Sequence, residues 1–531
     1  MSVIDISSET RLARLALDLG ASHVGGALSS AEQQLVAQAV LEPPLPLAAV
    51  EAVRRQMQNG VDVLGDIFLA LRPARQRRDQ GQFMTPDTLL EPMLGWALAQ
   101  QPQRLIDPGS GSGRFLAAAL RLEPRLSVIG IDSDPLAALM TRATLAVLEA
   151  VDCRVMCANY LTVSLPEIAG RSAFVGNPPY VRHHDLSATD KDWALQAARL
   201  LGYRISGLAG LHALFFLATA LHARPNDIGC LVTSSEWLDV GYGAIVRKLL
   251  LERLGLRSLD LIDARAVPFE EAMTTALISS FEVGRQSESV VLKLVAKASD
   301  LANLENGTSV PAAALAGSSR WSPFFRGEAP PGDDAPTLSS LVRVHRGTAT
   351  GSNKFFVMTP QEAAERGLTA FCRPVISSGA QILSANGDLR ATPERKVLLD
   401  LPADLNRAAH PAVDAYLRQG EAAGIDQTYL CSHRKPWWRV SAGAPPIVVS
   451  YMARQAPRFA LNSDGMALLN IGHGLYPKRA MSEDELHTLV TALNAGREAM
   501  AGSGRTYHGG LEKFEPREME SLPLPAGISV S

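Results

Sequence analysis

The chain has no apolar run approaching the roughly 20 residues that span a bilayer, which excludes a helical membrane anchor. Its five cysteines, Cys153, Cys157, Cys230, Cys372 and Cys431, are odd in number and scattered, with no Cys-x-x-Cys pair. That pattern argues against a disulfide framework and against structural zinc, so no metal site is expected. The N-terminus, Met1-Ser-Val-Ile-Asp-Ile, lacks the basic start and continuous apolar stretch of a secretory signal, and the expected compartment is the cytoplasm. Charge of one sign is also missing: the net value is −3, too small for indiscriminate polyanion binding. There is no internal repeat. What is present is ordinary globular composition, 47% hydrophobic and 20% charged, over 531 residues, more than one core usually organises. Two or three domains are therefore expected.

The first 75 or so residues read as a helical segment without obvious chemistry. Arg11 to Leu19 and Val36 to Met57 place apolar residues at helical spacing, with Pro43, Pro44 and Pro46 breaking the second run. From Arg104 onward short apolar runs alternate with amphipathic ones. Leu105-Ile106 precedes Asp107, Val128 to Ile131 precedes Asp132, Ala173 to Val175 precedes Asn177, and Cys230 to Val232 precedes Thr233. Helical patterns lie between them at Pro135 to Ala150, Leu208 to Leu221 and Gly243 to Arg253. This alternation predicts an α/β domain, a doubly wound and mostly parallel sheet over residues 76–300, with polar residues gathered at the strands' carboxyl ends where ligands bind. A stretch rich in Pro, Gly and Asp ends at Pro336, and residues 301–336 read as a linker. A mixed α+β domain is expected over 337–531, with short strand-like runs (Phe355 to Met358, Lys396 to Leu399, Pro446 to Ser450) and a capping box, Ser482-x-x-Glu485, opening a helix. Between Val342 and Ala480 there are 17 Lys/Arg against 10 Asp/Glu, a surplus of 17 − 10 = +7 that would suit a phosphate backbone. An ordinary solvated surface explains the same surplus.

Two motifs carry chemistry. Asp107-Pro-Gly-Ser-Gly-Ser-Gly113 follows a predicted strand and opens a predicted helix; Gly109, Gly111 and Gly113 allow a tight turn and close approach of backbone N–H groups to a ligand. Asp132, at the end of the next strand, can accept hydrogen bonds from ribose hydroxyls. It could equally cap a helix, although Asp134, before Pro135, suits that duty better. Asn177-Pro-Pro-Tyr180 lies at another strand's carboxyl end. An exocyclic amine on adenine is a poor nucleophile because its lone pair is delocalised into the ring. The side-chain oxygen of Asn177 and the backbone carbonyl of Pro178 can accept from its two hydrogens and localise that pair, so no strong base is needed. Pro179 stiffens the loop, and Tyr180 offers a face on which an extruded base can stack.

These motifs, in this order, resemble the adenine-N6 DNA methyltransferases of restriction–modification systems, over roughly Leu64 to Pro525. The resemblance implies the class I methyltransferase fold, S-adenosylmethionine as cofactor, double-stranded DNA as substrate and a target recognition domain behind the catalytic one. It implies that Thr85 and Pro86, in Gly81-Gln-Phe-Met-Thr-Pro86, contact the cofactor, that Asp107 and Gly109 belong to its methionine-binding loop, and that Asp132 holds its ribose. Where the family has an acid for the cofactor's adenine amine this chain has Asn159, a neutral acceptor, followed by Tyr160, which would flank the adenine ring. Phe269 resembles the aromatic residue that stacks on the flipped base, or is plain core.

In the C-terminal part, Gly347 to Phe356 resembles the opening of the recognition domain. Lys354 there, and Arg434, Lys435, Trp437 and Arg439 in Arg434-Lys-Pro-Trp-Trp-Arg439, are candidate DNA contacts; a hairpin turn for the first stretch and core packing of the tryptophans are the competing structural readings. Asn-Pro-Pro-Tyr also serves methyltransferases of a protein glutamine or of RNA, but a basic domain of about 200 residues is natural for reading a duplex and unnecessary for a glutamine side chain. A non-catalytic DNA-binding relic would show decayed motifs, and both motifs are intact apart from Asn159. The N-terminal segment is too short for a nuclease, so any restriction endonuclease partner is expected on a separate chain. His183-His184 lacks matching carboxylates and reads as a surface or substrate contact.

Overall fold

The computed structural model describes residues 6–73, 77, 81, 85–263, 266, 275–327, 336–453, 456–500, 505–507, 511–525 and 528. It divides into two compact units, residues 1–330 and 331–531.

The first unit is built on a nine-stranded sheet of order β3-β2-β1-β4-β5-β7-β6-β8-β9, with β1 Arg104–Asp107, β2 Ser127–Asp132, β3 Cys153–Cys157, β4 Ser172–Gly176, β5 Ile228–Ser234, β6 Leu256–Ile262, β7 Ala276–Glu282, β8 Ser289–Val295 and β9 Thr308–Pro311. The first five in that order run parallel, while β7 is antiparallel to both its neighbours. Side chains alternate across a strand, and here both faces are buried. Ile106, Phe174 and Leu231 point into one core while Leu105, Ala173, Val175, Cys230 and Val232 point into the other. That is why these strands read as continuous apolar runs. Helices α5 Asp87–Ala99, α6 Arg114–Leu122 and α7 Pro135–Val147 connect or cover the sheet, together with α8 Ala188–Leu200 and α9 Leu211–His222.

The N-terminal helices α1 Glu9–Asp18, α2 Ser30–Leu41, α3 Leu47–Gln58 and α4 Val63–Leu71 belong to this unit rather than preceding it. Leu12, Leu15, Ala16 and Leu19 form one apolar face that packs on Leu136, Leu139, Met140 and Ala143 of α7. A second correction concerns residues 301–327, expected to form a linker. Within them β9 adds to the sheet against β8, and Leu301, Leu304, Leu315, Trp321 and Phe324 are buried in the two cores. The Pro- and Gly-rich composition that suggested a linker holds only for the stretch after Phe325.

The second unit contains two four-stranded sheets. One has the order 342–346, 473–477, 447–449, 459–461 and the other 357–358, 397–399, 372–376, 467–468. Pairing is antiparallel except between Cys372–Ile376 and Ala467–Leu468. The helix Glu483–Ala495 begins with the expected capping box: Ser482 accepts from Glu485 N, and Glu485 accepts from Ser482 N. Phe355 and Phe356, expected in a strand, lie in the short helix Asn353–Phe356, with only Val357–Met358 extended. No helix among the described residues is long and apolar enough to cross a membrane.

Candidate active site

The glycine-rich turn and the Asn-Pro-Pro-Tyr loop meet at the carboxyl ends of β1 and β4, which pair in parallel. A Cβ placed on Gly109 would stand 3.7 Å from the Asn177 carbonyl oxygen and 3.7 Å from Pro179 Cδ. Gly176 sits so close to Asp107 that its Cβ would be 2.6 Å from Oδ1, so only glycine fits where the two strands deliver their loops. Gly111 (φ +56°) and Gly113 (φ +86°) take the left-handed backbone that turns the chain into α6.

The turn is held from several sides. Asp132 at the end of β2 accepts from Gly111 N and Asp134 N, each at 2.9 Å. Thr141 Oγ1 of α7 donates to Gly111 O at 3.0 Å, and Thr144 Oγ1 donates to Ser112 O at 2.8 Å. Ser112 Oγ donates to Asp62 Oδ2, 2.7 Å away at the start of α4, and Arg72 pairs with Asp134 at 2.6 Å. The N-terminal helices thus brace both turns, a role no local pattern in them announces. Burial pushes Asp132 up to about 6 against the backbone N–H groups that lower it. Asp107 is fully buried; burial pushes it up to about 8, with the Gly109 N–H lowering it. Its Oδ2 has no hydrogen-bond partner among the described residues.

The transfer loop is held by an upstream segment. Asn177 Nδ2 donates to Thr85 Oγ1 at 3.1 Å, Tyr180 N donates to Gly81 O at 3.3 Å, and Pro86 leads into α5. Desolvation pushes the Tyr180 phenol well above its ordinary range. Beyond it, Val181 O accepts from Leu211 N at 2.9 Å. Buried His212, pushed down to about 4, opens α9 beside Gly210, and its Nε2 has no partner among the described residues. His183 and His184 stack edge to face at 5.1 Å, and no metal-ligating cluster occurs among the described residues.

Other expected residues are placed differently. Tyr160 does not present a free face: it is buried, its hydroxyl is 2.9 Å from Thr219 Oγ1, and its ring lies against Phe215 and His222. Asn159 is exposed and spends its Oδ1 on Leu161 N, while its Nδ2 donates to Asp190 Oδ1 at 3.2 Å. A carboxylate from α8 therefore stands beside the position where the sequence has an amide, a neighbour 31 residues away in sequence. Phe269 lies outside the described residues.

In the second unit two candidate DNA contacts are half-buried and engaged by the chain itself. Arg434 donates to Thr350 O at 2.6 Å and to Ala349 O, so its guanidinium fastens a loop instead of facing solvent. Trp437 packs on Phe355 and Phe356 and donates to Glu421 at 3.3 Å. Cations flanked by aromatics also describe a core-lining segment with a half-buried arginine. Lys354, Lys435 and Arg439 are exposed. Tyr429, which the sequence did not mark, is 77% exposed, its ring 4.6 Å from that of His433.

A mostly parallel α/β sheet carrying a glycine turn beside an Asn-Pro-Pro-Tyr loop defines a methyltransferase of the doubly wound class. Comparison with known proteins gives the family. The model described as Type II methyltransferase M.Eco57I, C-terminal domain, matches residues 331–531, Eco57I restriction-modification methylase matches 165–267, and N-6 DNA Methylase matches 59–202. Type II methyltransferase M.XamI of Xanthomonas campestris pv. amaranthicola is 36% identical over 527 residues, 98% of this chain and 99% of that protein. Type II methyltransferase M.AccI of Acinetobacter calcoaceticus is 24% identical over 474 residues, 85% of this chain and 86% of that protein. The structure of the Type IIL restriction-modification enzyme MmeI in complex with DNA shares the fold, with TM-score 0.57 at 14% identity over 90% of this chain and 75% of that one. The chain belongs to the Type II DNA methyltransferases of restriction–modification systems.

Proposed function

We propose that this methyltransferase moves a methyl group from S-adenosylmethionine to N6 of an adenine turned out of duplex DNA. The observation that carries the reading is how near Gly109 lies to the Asn177 carbonyl and Pro179, each 3.7 Å from where a Gly109 Cβ would stand, which sets a cofactor turn beside a loop whose acceptors suit an amine. The residues fit the cofactor. Asp107 Oδ2 is a buried acceptor lacking a donor among the described residues, suited to an ammonium group, and Asp132 retains lone-pair sites for ribose hydroxyls beyond its two backbone bonds. Gly109, Gly111 and Gly113 leave room for close approach, Pro86 borders the site, and Asn159 with Asp190 offers acceptors for a purine amine. Bound S-adenosylmethionine supplies an electrophilic methyl group. Asn177 Oδ1 and the Pro178 carbonyl accept from the two amine hydrogens and localise the nitrogen lone pair, while Tyr180 gives the extruded base a stacking surface. DNA is met by the second unit through the exposed Lys354, Lys435 and Arg439.

Incubation with labelled S-adenosylmethionine and plasmid DNA, followed by digestion to nucleosides, tests the acceptor. Label is expected in N6-methyladenine. Label in a cytosine, or only in protein or RNA, would sink the adenine reading.

A pH dependence follows from Asp107. Free carboxyl groups ionise near 4, whereas this one sits at about 8 in the folded protein, so at neutral pH without ligand it is mostly protonated. An ammonium group pairs with the ionised form. Binding therefore expels a proton, and cofactor affinity rises with pH on the acid side of 8, by up to ~10-fold per pH unit. Calorimetric titration between pH 5.5 and 7.5 checks this. Asp107→Asn is expected to bind more weakly with a shallower profile, the remaining slope lying near pH 6 where Asp132 ionises; a profile as steep as wild type between pH 6.5 and 7.5 would remove Asp107 from that role.

A further inference from the structure

We propose that Thr85 is a positioning residue for methyl transfer: by accepting a hydrogen bond from Asn177 Nδ2 it fixes the amide so that Oδ1, and not the NH2 group, faces the target amine. The inference rests on the amine-acceptor reading of Asn177 and adds to it a partner that family resemblance had placed on the cofactor alone. The chemistry requires such a partner. The two ends of an asparagine amide are nearly the same size, but one accepts and the other only donates. An amine presented with the NH2 end meets donor against donor, and its lone pair gains nothing. Nothing within Asn177 prevents that flip, so an acceptor outside it must hold Nδ2.

Thr85 supplies this acceptor at 3.1 Å. It is buried, 5% exposed, so bulk water cannot readily replace it. Its own geometry is stiff. A β-branched side chain has few χ1 states, and a residue before proline is confined to extended backbone, which Pro86 imposes. Pro86 in turn begins α5, anchored by buried Leu89, Leu90 and Met93. The same upstream segment meets the other end of the loop, where Gly81 O accepts from Tyr180 N and a Cβ on Gly81 would stand 2.4 Å from Tyr180 N. Gly81 against Tyr180 and Thr85 against Asn177 hold the loop at both ends.

Thr85→Val keeps the shape and removes the hydroxyl, Thr85→Ala removes it without branching, and Thr85→Ser retains it. Single-turnover methylation at saturating cofactor and DNA is expected to fall ~10- to 100-fold in the Val and Ala variants and to stay within ~3-fold of wild type in the Ser variant. Dissociation constants for S-adenosylmethionine by calorimetry, and for duplex DNA, are expected within ~2-fold of wild type in all three, which also reports that each is folded. Cofactor binding lost in step with rate in the Val and Ala variants would make Thr85 a cofactor contact and overturn the proposal. So would wild-type rates in either variant, or a Ser variant as slow as Val. Wild type that methylates DNA without forming N6-methyladenine would sink the adenine reading instead, and leave the Val-against-Ser comparison to decide the role of Thr85.

Discussion

Asn177→Ala is expected to lower the single-turnover rate of methyl transfer by ~10³-fold or more while leaving affinity for S-adenosylmethionine within ~2-fold of wild type. The magnitude follows from what the side chain does. The amine of adenine carries almost no basicity, and in the proposed mechanism the two acceptors facing its hydrogens are the means by which the site makes it a nucleophile. Losing one preorganised hydrogen-bonding group in a dry site costs ~10²–10³-fold in comparable cases. Here the loss also leaves one amine hydrogen without an acceptor and frees the nitrogen to relax into conjugation. The cofactor should be unaffected, because the side-chain nitrogen of Asn177 is engaged by Thr85 and the substitution leaves the Asn177 backbone carbonyl near Gly109 in place. A rate within ~10-fold of wild type at saturating cofactor would show that the Pro178 carbonyl and base stacking suffice, and Asn177 would lose its role.

The catalytic sheet was legible because its strands are buried on both faces. Leu105-Ile106, Val128 to Ile131, Ala173 to Val175 and Cys230 to Val232 all fall in β1, β2, β4 and β5, and each polar residue after them stands at a carboxyl end. At the sheet's edges the signal fades. In β3, at one edge, only Val155 is fully buried, so its run mixes Arg154 with apolar residues and no expectation was attached to it. At the opposite edge β9 is four residues long and mostly exposed, and it fell inside the expected linker. Core residues such as Trp321 went unnoticed there because isolated aromatics between prolines and glycines have no period to read.

The candidate site was legible where its residues lie in local motifs, which the structure brings together, and illegible where it depends on partners distant in sequence. Asp107, Asn177 and the glycines announce themselves. The Ser112 to Asp62 bond spans 50 residues, Arg72 to Asp134 spans 62 and Asn177 to Thr85 spans 92, and none leaves a spacing to find. Arg434 and Trp437 show the opposite failure. Composition suggested a wet, basic surface, and the fold satisfies the guanidinium with backbone carbonyls and packs the indole on phenylalanines.

The N-terminal helices, which seemed chemically silent, are tied to the catalytic unit by a buried charge pair, and Arg142→Met is expected to cost ~3–5 kcal/mol of stability. Arg142 of α7 and Glu32 of α2 are both 0% exposed, with Nε 2.7 Å from Oε1. The guanidinium has five N–H donors, and the structure finds an acceptor for each: Glu32, Val24 O, Gly26 O, Ala27 O and Val155 O. Gly25, with φ +78° and a Cβ position 2.9 Å from Val155 Cγ2, lets the chain wrap this tightly. Replacing two charges by apolar groups can be nearly neutral, but removing one leaves the other buried and unpaired. Methionine in place of Arg142 would strand the Glu32 carboxylate and four carbonyls, whereas Arg142→Met with Glu32→Leu should recover part of the loss. Urea unfolding monitored by tryptophan fluorescence measures both. A single variant within ~1 kcal/mol of wild type, or a double variant no more stable than the single, would mean that the helices are held by the apolar face of α1 on α7 and not by the charge pair. Because Asp62 and Arg72 reach the glycine-rich turn and the Asp132 turn from these same helices, loosening them should weaken S-adenosylmethionine binding before the sheet itself unfolds if those turns hold the cofactor as proposed.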